Sequence, residues 1–159
     1  MQDADALIAV FNKEGKIMGK KLRKDVDKEK DILKTVVILI QNSKDDFLLT
    51  KPRVTLWVGK WGSSAAGMVR YGENVEEAAV RTLYRELGLE IPLTKKDESF
   101  YNFGGVCRFL SVFHGKSDFI LVNKEDATEY RWFSTEEIKK LQCMPTLDAA
   151  LERYKEQYF

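Results

Sequence analysis

Three observations predict an α+β fold in which a mixed β-sheet lies between helices. The run LKTVVILIQ, residues 33–41, is apolar and rich in β-branched side chains, as a strand buried on both faces requires. Residues 74–87 place Val75, Ala79, Leu83 and Leu87 at steps of four, which gives a helix one buried stripe. Shorter strand-like segments surround both, and a further helical pattern follows Pro145. Helices on both faces of the sheet are the economical way to bury so apolar a strand.

Each element has its own signal. LIAVFNKEGKIMGKKLR reads as a hairpin over about residues 5–23, with Asn-Lys-Glu-Gly at its turn. NSKDD turns the central strand into its partner FLLT, and the Gly- and Ser-bearing stretch 52–67 forms a long loop into a short strand at Ala65–Val69. Gly88 stops the helix. SFYNF, VCRFLSVF, FILV and EYRWF are the remaining predicted strands. Ser134 or Thr135 caps a helix through EEIKKL. A last helix over about 146–157 aligns Leu147, Leu151, Tyr154 and Tyr158.

The chain of 159 residues suits a single domain, 1–159, with a sizeable core. Its net charge of +1 gives no field to gather nucleic acid, and the interleaved charges of KKLRKDVDKEKDILK read as a solvated surface. No apolar run approaches the roughly 20 residues of a membrane span, and the N-terminus has no leader pattern. Cys107 and Cys143 stand apart without metal spacing, so a cytoplasmic location is expected.

On a helix wheel, Thr82, Arg85 and Glu86 form one contiguous face beside the apolar stripe. Gly67 and Gly72 punctuate the entry to that helix, and Glu73 lies at its positive dipole end. This segment resembles the Nudix box at Gly67, Glu73, Arg81, Leu83, Glu86, Gly88 and Leu89, and departs from it at Thr82 and Arg85. LLTKPRVTLWVGKWGSSAAGMVRYGE is similar to the lead into the box in the isopentenyl-diphosphate-isomerase-like branch, so the resemblance covers about Leu7 to Leu141.

The resemblance implies a Nudix fold and hydrolysis of a nucleoside diphosphate or related diphosphate metabolite, with Mg²⁺ or Mn²⁺ as cofactor. The family's metal carboxylates fall at Thr82, Arg85 and Glu86, the implied catalytic face, and only Glu86 is acidic. A guanidinium about 5 Å from a divalent ion is repelled by up to roughly 7 kcal/mol at an effective dielectric near 20. Asp126, with Glu125 beside it, falls where many members place a further metal ligand, with a solvated acidic loop before a strand as the plainer reading. Gly67, Glu73, Arg81 and Gly88 match the structural part of the box. Glu77 is expected to pair with Arg81 at i+4.

Arg85 is also a candidate phosphate contact in place of metal charge, with a bridge to Glu86 as the plainer reading. Arg53, Lys60, Trp61 and Tyr101 are candidate substrate contacts, the aromatics competing with core roles. Hydrolase activity with an altered metal site ranks first. The alternative is an inactive module that needs no metal and binds a diphosphate or a protein. The isomerase reaction is disfavoured, because Ala65 and Ala66 stand where that enzyme has a cysteine and its metal-binding histidines are missing before TVVILI. A homodimer through the N-terminal hairpin completes the expectations.

Overall fold

The computed structural model describes residues 4–121 and 125–155. Leu7–Phe11 (β1) and Ile17–Leu22 (β2) form the predicted hairpin. Asn12 holds its turn, the Oδ1 accepting from the N–H groups of Glu14 and Lys16 at 3.0 and 2.9 Å. A 3₁₀ turn at Arg23–Asp25 then begins the connector to the sheet.

The central strand, Leu33–Gln41 (β3), pairs on all sides. Phe47–Pro52 (β4) and Ala65–Met68 (β5) are antiparallel to it, and Val106–Lys116 (β7) is parallel, in register from Leu33↔Arg108 to Gln41↔Lys116. Thr94–Phe103 (β6) and Ala127–Phe133 (β8) are the outer strands of the order β6-β7-β3-β4-β8, with β5 alongside β3. Thus β3 is covered above and below, which explains its unbroken apolar run.

Alternation along β3 divides the core. Val36, Ile38 and Ile40 face the helix Val75–Leu87 (α1), against Ala78, Ala79, Leu83 and Leu87. Val37 and Leu39 face the other side, against Leu110, Leu147 and Leu151, under the helix Pro145–Leu151 (α3). A mixed sheet between helices is therefore what the chain builds. The small helix α2 spans Thr135–Ile138. No helix among the described residues is long and apolar enough to cross a membrane.

Local chemistry altered several predicted elements. FILV is not a strand at Phe119–Leu121, and Val122 lies outside the described residues. The chain there crosses the end of α1, where the Leu121 N–H donates to the Leu87 carbonyl at 2.8 Å instead of to a neighbouring strand. α2 stops early because Lys140 and Leu141 donate to carbonyls three residues back, a 3₁₀ turn that ends the helix. Likewise α3 tightens into a 3₁₀ turn at Glu152–Tyr154, and Glu156, Gln157 and Tyr158 lie outside the described residues.

Helix α1 starts with a capping box. Asn74 accepts from the Glu77 N–H at 2.8 Å, and Glu77 accepts from the Asn74 N–H at 3.1 Å. Glu77 is thereby directed back to its own helix start and does not pair with Arg81. Gly88, at φ 63°, closes the other end by donating to the Tyr84 carbonyl at 2.9 Å.

Where α1 meets β5 the backbones come very close. A Cβ on Gly67 would lie 2.5 Å from the Thr82 Oγ1. Gly67→Ala is therefore expected to destabilise the protein by about 1–3 kcal/mol. Adding Thr82→Ala should restore most of that loss, read as the urea midpoint of each variant. Equal midpoints for wild type and Gly67→Ala would mean that the contact relaxes without cost.

Candidate functional site

The turn from β5 into α1 is held by charge. Both carboxylate oxygens of Glu73 accept from Arg81, Oε2 from Nε at 2.8 Å and Oε1 from Nη2 at 3.0 Å. Arg81 also donates to the Met68 carbonyl at 3.0 Å, and the Arg70 N–H donates to Glu73 at 3.1 Å. Burial acts to raise the Glu73 carboxyl. Its bonds to Arg81 and to the Arg70 N–H outweigh that and hold it below the ordinary value.

One turn further along α1, Glu86 is 8% exposed. One carboxylate oxygen accepts from the Ala66 N–H at 3.3 Å and the other from the Arg85 guanidinium. Burial pushes the Glu86 carboxyl up to about 7, against the attraction of Arg85 and with the Asp126 charge adding to the rise. Glu86 thus titrates near neutrality, where it can take up or release a proton.

Glu86 lines a cleft of about 360 Å³. Three carboxylates, Glu86, Glu125 and Asp126, share its wall with three cations, Arg23, Lys28 and Arg53. Arg53 comes from the loop after β4, whose backbone N–H donates to the Asp126 carbonyl at 3.0 Å. Arg23 and Lys28 come from the β2–β3 connector. Burial lowers the affinity of both for their protons. Arg85 is the next cause at Arg23, and Arg23 and Arg108 follow at Lys28. Cations crowded in this way are relieved by an incoming anion.

The NUDIX domain profile matches residues 32–154. The chain belongs to the NUDIX family. Its sequence is similar to the isopentenyl-diphosphate Delta-isomerase 2 of Photorhabdus laumondii, 26% identical over 145 residues that cover 86% of this chain and 82% of that protein. The fold is similar to that of DR0079 from Deinococcus radiodurans, with TM-score 0.77, 19% identity, and 94% and 98% of the two chains covered. It is also similar to the NUDIX domain of Shewanella oneidensis NrtR, solved with ADP ribose, at TM-score 0.69, 14% identity and coverage of 86% and 96%.

Among the NUDIX-box residues, the structure brings Glu86 to the cleft and turns Thr82 away. Thr82 is fully buried, and its Oγ1 lies against Gly67 with no hydrogen-bond partner. Arg85 is engaged with Glu86. Among the described residues, no three His, Cys, Asp or Glu side chains converge as a metal-holding group. One ion-paired carboxylate, with Asp126 and Glu125 elsewhere in the same lining, does not make the compact hard-oxygen set that Mg²⁺ or Mn²⁺ takes.

The other predicted contacts separate. Arg53 lines the cleft with Asp126, whereas Lys60, Trp61 and Tyr101 do not. Trp61 is 6% exposed and packs edge-on against Phe133 at 4.8 Å, with Lys51 over its ring. Tyr101 stacks on Phe103, and its hydroxyl meets Asp97 at 3.3 Å. His114 contacts Gln41 at 2.8 Å, away from the cleft. Arg23 and Lys28 are the residues that sequence reasoning missed. They sit in the charged stretch read as solvated surface, and no periodicity there marks the two that turn inward.

The Glu86 carboxyl gives a pH test. Its folded value, about 7, lies above the 4.5 of an ordinary glutamate, so its contribution to stability is complete below pH 4.5 and is lost as pH rises through 7. Glu86→Gln stays neutral throughout. Relative to wild type it should gain on the order of 1–3 kcal/mol between pH 5 and pH 8 in urea unfolding. A pH-independent difference would show that Glu86 titrates normally.

Proposed function

We propose that this chain is a single Nudix domain of the cytoplasm that binds the diphosphate of a small metabolite in the cleft of Arg23, Lys28 and Arg53, without requiring a divalent metal. The observation that carries this reading is the pairing of Glu86 with Arg85. It neutralises the one acidic residue left on the box's metal face, while three chain cations line the same cleft. Arginine and lysine donate charge-assisted hydrogen bonds to phosphate oxygens, a role that metal charge otherwise fills. The ADP ribose held by the NrtR domain is a diphosphate of this kind. Two free thiols, Cys107 and Cys143, support the location.

A second reading, slow hydrolysis, is favoured by one feature. Glu86 titrates near 7 and shares the cleft with Asp126, so a proton acceptor stands at the wall where a water could be activated. Neither nucleic acid nor a membrane surface is part of either reading, and a homodimer is compatible with both.

Calorimetric titration with inorganic pyrophosphate and with ADP ribose, in EDTA and in Mg²⁺, tests the first reading. Affinity should change less than about threefold between the two conditions, and Arg53→Ala or Lys28→Ala should each weaken it about tenfold, the scale of one charge-assisted bond. Binding that requires Mg²⁺, together with turnover abolished in Glu86→Gln, would establish a metal-dependent hydrolase instead.

A further inference from the structure

The run of β7 from Val106 to Phe113 carries one charged residue, Arg108, and that residue is only 6% exposed. A guanidinium taken out of water needs acceptors for its N–H groups. Asp31, the acid whose charge steadies Arg108, gives both carboxylate oxygens to Lys21 at 2.9 Å. Arg108 directs its fork to main-chain carbonyls instead. Its Nη1 donates to those of Asp31 and Cys107 at 3.2 and 2.9 Å, and its Nη2 to that of Lys28.

Two of these carbonyls, at Lys28 and Asp31, belong to a turn that holds its own shape. Asp27 Oδ1 accepts from the N–H groups of Glu29 and Lys30 at 3.0 and 3.1 Å. The Asp31 N–H donates to the Asp27 carbonyl at 2.8 Å, and the Asp27 N–H donates to Asp31 Oδ2 at 2.8 Å. Where such a turn sits depends on what ties it to the sheet. The Lys21–Asp31 bridge lies at the surface on its lysine side, and pairs of that kind hold weakly. Arg108 is the buried tie. Within residues 27–30, Lys28 is half-buried while its neighbours are exposed, and Lys28 lines the charged cleft. Arg23 has an anchor of its own, because its N–H donates to the Ala6 carbonyl at 2.8 Å.

We propose that Arg108 is a positioning residue for anion binding: by holding the Lys28 carbonyl, it fixes where the Lys28 ammonium stands in the cleft. This role rests on the diphosphate reading and adds to it a side chain that does not itself line the cleft. The choice of arginine fits. A rigid fork of donors can hold the carbonyls of residues 28 and 31 together, whereas one ammonium or an apolar side chain cannot. Charge acts in the same sense. After burial and Arg23, Arg108 is the next cause that weakens the hold of Lys28 on its proton. The two cations repel, so the ammonium is kept off the guanidinium that holds its backbone.

Calorimetric titration of the full chain with inorganic pyrophosphate, at about 0.15 M salt, tests this through double-mutant cycles. Arg108→Met should weaken binding about tenfold, the same scale as Lys28→Ala. Added to Lys28→Ala, it should cost less than about twofold more, because the ammonium that it places is gone. Added to Arg53→Ala, it should keep its full effect, because Arg53 comes from a different loop. Arg108→Lys retains the charge without the fork and should stay at least about threefold weaker than wild type. If circular dichroism shows that Arg108→Met does not fold, the same cycles are run on Arg108→Lys.

A loss of equal size in both backgrounds would mark a general effect of the missing side chain and would overturn the positioning role. So would wild-type affinity in Arg108→Met or in Arg108→Lys. If wild type binds no pyrophosphate, the diphosphate reading falls and takes this one with it. If wild type binds and only the cycles fail, Arg108 loses its role and the reading of the cleft stands.

Discussion

Glu73 precedes Arg81 by eight residues, and its two oxygens meet that guanidinium at 2.8 and 3.0 Å. Because Arg81 also donates to the Met68 carbonyl, one side chain joins the end of β5, the following loop and the first half of α1. The pair is largely shielded from water, and it has backbone bonds to complete its coordination, the condition under which a bidentate bridge holds geometry well. With α1 anchored there, Thr82 presses on Gly67 and Glu86 reaches the cleft beside Ala66. The helix carries the site, and the bridge sets the position of the helix.

Charge in the cleft is arranged unlike the box it descends from. A cluster of carboxylates needs a cation to be stable. Here Arg85 supplies one from within the chain, and Arg23, Lys28 and Arg53 add more from other elements. The result is a wall whose cations outreach its remaining acids, the charge pattern on which the proposed anion binding rests. The scaffold of the NUDIX family is kept while the electrostatic sense of its centre is changed.

Much of this was legible in the chain. β3 announced itself by an apolar run that only a doubly covered strand tolerates, and α1 by its four-residue stripe, its Asn74 cap and its Gly88 stop. Glu86 and Asp126, named as metal ligands from the resemblance to the box, both line one cleft. What spacing does not carry is which way a loop side chain turns. Arg23 and Lys28 look like their solvated neighbours, and Trp61 and Tyr101 look like ligand contacts until Phe133 and Phe103 are found against them. FILV failed as a strand for a related reason. Its composition suits a sheet, yet the Leu87 carbonyl at the end of α1 was closer to hand.

The outer strands β6 and β8 end the sheet with backbone groups that face away from any neighbour in the described chain. β6 begins Thr-Lys-Lys-Asp-Glu, Lys95 bridges Glu76 and Glu98 there, and the pairing to β7 slips between Lys95 and Asp97. β8 carries Glu129 and Arg131, and its partner β4 ends in Pro52. Charge on both outer strands and the bulge in β6 resist the docking of a foreign strand. Self-association of this molecule is thereby steered away from edge-to-edge stacking, so a concentrated solution has little tendency to seed cross-β growth from its folded form.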